Sequence, residues 1–122
     1  MKHLFSLLLA ATSLVGCLSN TEFKSVDAQQ FAEVIADKDV QLVDARTPEE
    51  FSEGHIPGAV NMDVKSEYFN TQIATLDPAR PVAVYCRSGR RSKLAAERMT
   101  NAGLQVTELS EGILSWKGEV VK

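Results

Sequence analysis

The stretch PVAVYCRSGRRSKLAAERMTNAG, Pro81 to Gly103, divides into three parts with different physical demands. Its first six residues form a continuous apolar run, the pattern of a strand buried on both faces. Its last part keeps Leu94, Ala95, Arg98, Met99 and Ala102 at helical spacing, and Gly103 is a natural residue to follow the helix end. Between strand and helix lie one thiol, Cys86, and four cations, Arg87, Arg90, Arg91 and Lys93. A helix N-terminus carries partial positive charge, so cations there oppose folding slightly. The charges call for a reason other than helix stability.

Working outward, the same alternation repeats. FKSV (23–26) reads as a first strand, and Asp27 with Gln30 forms a capping-box pattern ahead of a helix carrying Phe31, Val34 and Ile35 on one face. VQLVDA (40–45) reads as a second buried strand. Thr47, Pro48 and Glu50 announce a short helix that Gly54 ends. AVNM (59–62) is a third strand. Residues 65–76 read as a helix burying Phe69, Ile73 and Leu76. QVTEL (105–109) is a last strand, and GILSWKGE (112–119) a short terminal helix. Alternating strands and helices predict an α/β fold, a mainly parallel sheet with helices on both faces. Such sheets place their sites beyond the carboxyl ends of the strands, which is where Cys86 falls.

The chain of 122 residues has room for one core, and its 44% hydrophobic and 24% charged content is ordinary for a globular domain. A net charge of −3 argues against nucleic acid as a partner. His3 and His55 stand apart from each other and from both cysteines, so no metal site is expected. The start differs in kind: MKH, then the apolar LFSLLLAATSLV, then GCLSN. The apolar run is short for a membrane span and fits a signal peptide. LVGC (14–17) resembles the lipobox of bacterial lipoproteins. That resemblance implies a signal peptide at 1–16, lipid on Cys17, a tether over 17–22 and a domain over 23–122. It also implies export, with attachment to a membrane on its periplasmic side, and Leu18 points to the outer membrane. Cys86 is then the single free thiol in a compartment where cysteines are usually paired, which marks it as reactive.

A nucleophilic cysteine must be a thiolate, against an ordinary pKa of ~8.5. Backbone amides at a helix start, the helix dipole and the guanidiniums of CRSGRRS all favour that anion. Gly89 lets the backbone curl into a cup. Cysteine-dependent phosphatases need five residues between Cys and Arg. Here Arg91 follows Cys86 after four, a smaller cup that suits one extra sulfur better than a phosphoryl group.

With DARTPEEFSEGHIPGAVNM (44–62), VYCRSGRRS (84–92) and LSEGILSWKG (109–118), the chain resembles the single-domain rhodaneses, a sulfurtransferase family. The resemblance implies a three-layer α/β/α fold around a five-stranded sheet. It implies that Cys86 takes a sulfane sulfur from an anionic donor such as thiosulfate, carries it as a persulfide and passes it to cyanide or a thiol. No cofactor is implied. The amides of Arg87, Ser88, Gly89, Arg90, Arg91 and Ser92 would hold the outer sulfur. Arg87 and Arg91 match the basic positions of the family's loop and would attract the donor and stabilise departing sulfite. Arg90 would steer. Glu111 stands where the family often has glycine, which leaves the donor open. Alternatives are a persulfide carrier that does not turn over and, further off, a phosphatase or arsenate reductase. His55, the Asp44 and Arg46 pair and Trp116 are read as structural.

Overall fold

The computed structural model describes residues 22–122; the leader expected at 1–16 and Cys17, where lipid is expected, lie outside the described residues. Strands β1 (Lys24–Val26), β2 (Gln41–Asp44), β3 (Val60–Asn61), β4 (Val82–Tyr85) and β5 (Val106–Leu109) form one sheet in the order β1-β5-β4-β2-β3. Every neighbouring pair is parallel. Helices α1 (Ala28–Ile35), α2 (Pro48–Glu53), α3 (Phe69–Ile73) and α4 (Arg90–Asn101) connect them, and a 3₁₀ turn (Ile113–Ser115) follows β5. The chain steps outward from β2 to β3 and then returns to the other side of β2 for β4. That reversal puts the carboxyl end of β4 in the centre of the sheet.

Side chains two apart along a strand share a face. Val43, Val82, Val84 and Val106 therefore pack with Phe69, Ile73, Ala95 and Met99 on one side. Leu42, Ala83, Tyr85 and Leu109 pack with Phe31 and Ile56 on the other, where Trp116 closes the cluster edge-on to Phe31 at 6.3 Å. Both capping boxes form. Asp27 accepts from the Gln30 amide at 2.8 Å, and Thr47 and Glu50 bond reciprocally at 3.2 Å.

Two elements are shorter than the sequence suggests. The helix expected over 65–76 is confined to Phe69–Ile73. Asp63 and Ser66 side chains accept from the amides of Lys65 (2.8 Å) and Tyr68 (3.0 Å), and these local bonds turn the chain before the helix begins. The terminal helix is a single 3₁₀ turn between Gly112 and Trp116.

Asp44 and Arg46 tie the carboxyl end of β2 together, as their structural reading expected. Asp44 is fully buried and Arg46 only 6% exposed. The guanidinium reaches Asp44 Oδ2 at 2.7 Å and the Gly54 carbonyl at 2.7 Å, with its carbon 5.7 Å from the Tyr85 ring centre. Asn61 adds bonds to the carbonyls of Asp44 (3.0 Å) and Arg46 (2.8 Å). Removing one member would strand the other's charge in the interior. The substitution Asp44→Ala is expected to destabilise the fold by about 3–5 kcal/mol, measurable by urea unfolding. Replacing both residues by apolar side chains of similar volume should cost clearly less.

Candidate active site

Cys86 is the first residue past β4, and its backbone is fastened before its chemistry begins. Its carbonyl accepts from the Ile113 amide at 2.9 Å, and the Arg87 carbonyl from the Leu114 amide at 3.2 Å. Gly89 and Gly112 allow this closeness. A Cβ on Gly89, at φ +105°, would lie 1.9 Å from the Ser110 carbonyl oxygen, and one on Gly112 would lie 2.1 Å from that of Arg87. Gly89 is thus required twice, by its left-handed backbone and by the space it leaves.

The loop of residues 86–92 is curled so that Gly89 donates its amide to Cys86 Sγ at 3.1 Å. Cys86 is 1% exposed, and its sulfur stands 3.5 Å from Ser92 Oγ. Burial alone pushes the thiol up. Hydrogen bonding to the Ser92 hydroxyl and to the amides of Ser92, Gly89 and Ser88 outweighs it and leaves the thiol below its ordinary value. The loop therefore favours an anion at its base.

The four cations are used in two ways. Arg91 makes a bidentate pair with Glu50 of α2, at 2.7 and 2.9 Å. Lys93 donates to the Ser110 carbonyl at 2.9 Å and lies 3.1 Å from Glu108. Arg87 and Arg90 are exposed and have no ion-pair partner among the described residues. Ser88 is exposed at the rim, and Gly89 and Ser92 are buried in the wall. Sequence reasoning missed both carboxylate partners. Glu50 was read only as closing a capping box, which it also does. Glu108 left a usable signal: a charge inside an apolar strand of a sheet covered on both faces. His55 is stacked on Phe51 at 3.7 Å, with Nδ1 2.9 Å from the Phe51 carbonyl oxygen, a packing role consistent with its reading. Glu111 is exposed beside the loop's partner segment.

Two surface hollows lie elsewhere, one between α3 and the end of α4, the other at the amino ends of β1 and β5. Neither is lined by a residue of the loop.

A parallel five-stranded sheet with a cysteine-based anion cup beyond its central strand defines a class, and the comparisons agree with it. The family model of the rhodanese-like domain matches residues 27–119, and the chain belongs to that family. It is 33% identical over 97 residues to the thiosulfate sulfurtransferase GlpE of Shewanella oneidensis, covering 79% of this chain and 94% of the relative. It is 34% identical over 93 residues to a sulfurtransferase of Allochromatium vinosum, covering 75% and 85%. Among solved structures, a rhodanese-related protein of Thermoplasma volcanium superposes with a TM-score of 0.72 at 28% identity, covering 81% of this chain and 98% of that one.

The Arg91–Glu50 pair has a measurable consequence. Hydrogen bonding from Arg91, against the opposing effect of burial, lowers the Glu50 carboxyl from 4.5 to about 2. A carboxyl depressed by folding stabilises the folded state above its unfolded value and ceases to do so as pH falls through its folded value. Glu50→Gln should therefore cost about 1–2 kcal/mol near neutral pH, after allowance for the partial exposure of the pair. The gap from the unsubstituted protein should close between pH 4.5 and about 2 in unfolding titrations.

Proposed function

We propose that the protein is a sulfurtransferase that moves a sulfane sulfur through a Cys86 persulfide. The observation that carries this reading is the buried Cys86 sulfur at the base of a cup of backbone amides, with Gly89 N–H 3.1 Å away. In the first half-reaction the thiolate attacks the outer sulfur of thiosulfate. An S–S bond to Cys86 forms, the S–S bond inside the donor breaks, and sulfite leaves with the electron pair. In the second, cyanide or a thiolate attacks the outer sulfur of the persulfide, and Cys86 departs as the thiolate it began as. The cycle balances without an external oxidant or reductant and needs no cofactor.

The residues divide this work. The amides of Arg87 to Ser92 hold the outer sulfur's negative charge. Arg87 and Arg90, exposed at the rim, draw the dianionic donor and favour the release of sulfite. Arg91, bound to Glu50, fixes the start of α4. The loop's four residues between Cys86 and Arg91 support sulfur rather than phosphate as cargo.

Incubation with thiosulfate should add one sulfur to the Cys86 peptide, seen by mass spectrometry as a gain of about 32 Da, the persulfide among the reversible thiol caps. Thiocyanate should then form over many turnovers with cyanide. Cys86→Ser should fold normally and do neither. A single loading without turnover would favour a persulfide carrier serving a partner protein, and release of phosphate from an aryl phosphate would overturn the reading.

We also propose export, with lipid on Cys17 holding the domain on the periplasmic face of a bacterial membrane, the outer membrane being favoured by Leu18. The LVGC sequence (14–17) supports this. The unsubstituted protein should sediment with membranes and incorporate labelled palmitate. Cys17→Ser should do neither, and label retained by Cys17→Ser would end the proposal.

A further inference from the structure

Behind the nucleophile lies a carboxylate that the reaction as described does not use. Glu108 is fully buried on β5, on the same face as Val106 and beneath α4. Ser92 Oγ donates to its Oε2 at 2.6 Å. Its Oε1 accepts from Ser25 of β1 and lies 3.1 Å from Lys93 Nζ. Ser92 Oγ is also the atom 3.5 Å from Cys86 Sγ. A line of hydrogen bonds therefore runs from the edge strand to the sulfur.

A hydroxyl has one proton to give. When Cys86 is a thiol, its S–H donates to Ser92 and Ser92 donates to Glu108, so every bond is made. When Cys86 is a thiolate, the sulfur needs a donor, and Ser92 serves it only by turning its proton away from Glu108. Water does not reach Glu108 to replace that bond, so the turn is costly. When Cys86 carries an extra sulfur, the charge lies on the outer atom among the amides, and Sγ needs no proton. Ser92 then stays with Glu108.

We propose that Glu108 is a positioning residue that competes with Cys86 for the Ser92 proton, weakens the support that the Ser92 hydroxyl gives the anion within a loop that otherwise favours it, and so shifts Cys86 from the bare thiolate toward its sulfur-loaded form. A thiolate with fewer donors is also the stronger nucleophile toward the donor. The loading half of this inference rests on the persulfide reading above. The proton half concerns the thiol alone.

The test is the pH dependence of iodoacetamide alkylation of the full chain, read on the Cys86 peptide by mass so that Cys17 does not interfere. Glu108→Gln keeps the shape and lets a side-chain amide donate to Ser92, freeing the hydroxyl proton for sulfur. The midpoint should fall by about one pH unit, the size expected for one hydrogen bond gained by a charged group. In a Ser92→Ala background the same change should shift nothing. An unchanged or raised midpoint overturns the proposal, and so does a shift that persists without Ser92, which would mark a field effect of the carboxylate. The other charges around the sulfur stay in place in these variants: Arg87 and Arg90 on the loop, Lys93 on α4, Arg91 with Glu50 and nearby Asp63, and Glu111 after β5.

Ser25→Ala, at an exposed position on the edge strand, removes one donor from Glu108 and should tighten its hold on Ser92. The midpoint should then rise, and an unchanged one overturns the proposal even if Glu108→Gln does not fold. At a fixed ratio of thiosulfate to sulfite, Glu108→Gln should also show several-fold less loaded protein. If the unsubstituted protein never loads, the sulfurtransferase reading fails while the thiol titration still judges Glu108.

Discussion

The contact between two stretches of backbone, residues 86–89 and 110–114, is the constraint on which the rest of the site depends. Each stretch leaves a strand at the same edge of the sheet, because β4 and β5 are parallel neighbours joined through α4. They meet at a distance only glycine permits, at Gly89 on one side and Gly112 on the other. The amides of Ile113 and Leu114 then take the outward carbonyls of Cys86 and Arg87. With those carbonyls occupied on the far side, the loop's N–H groups are left to face the sulfur. The cup is thus a product of sheet topology before it is a product of the loop's side chains.

The cations at the start of α4 become intelligible once their partners are seen. Two of them are neutralised inward, Arg91 by Glu50 and Lys93 by Glu108, and these pairs fasten α4 to α2 and β5. A helix with basic residues in its first turn and a glycine rather than a hydrogen-bonding side chain at its N-cap is poorly favoured alone. The two carboxylates offset that deficit from neighbouring elements. Arg87 and Arg90 remain unmatched among the described residues, exposed at the rim, where charge acts on whatever approaches. One short run of sequence therefore contains both the ties of the scaffold and the field of the site, and linear order does not separate them.

Much of the architecture was legible in the residues because local chemistry and global fold agree. Asp27 and Thr47 cap the helices that their sequences announce, and PVAVYC forms the central strand its unbroken apolarity requires. The short terminal turn and the shortened α3 were misjudged where side chains compete with backbone, as Asp63 and Ser66 do ahead of Phe69. In the site, Cys86, Gly89 and the arginines stand together in one short run of sequence. Glu50 and Glu108 stand outside it. Each lies in sequence far from the loop, 41 residues for the Glu50–Arg91 bonds and 16 for Glu108–Ser92, and only the closing of the sheet brings them there.

Burial and ionisation make opposite demands on Cys86, and the loop reconciles them without the help of an imidazole among the described residues. A cysteine 1% exposed would ordinarily stay protonated. An imidazole beside it would solve the problem by taking the proton, but His55 is stacked on Phe51 and tied to that residue's carbonyl. The loop instead lowers the cost of the anion itself, against burial, through the Ser92 hydroxyl and amides fixed in place before any substrate arrives. Such a device serves a charge on sulfur wherever it resides, on Cys86 when empty or one atom further out when loaded. A base would serve only the first of these. An amide cup is accordingly the better solution for a cysteine that spends its cycle as one sulfur anion or another.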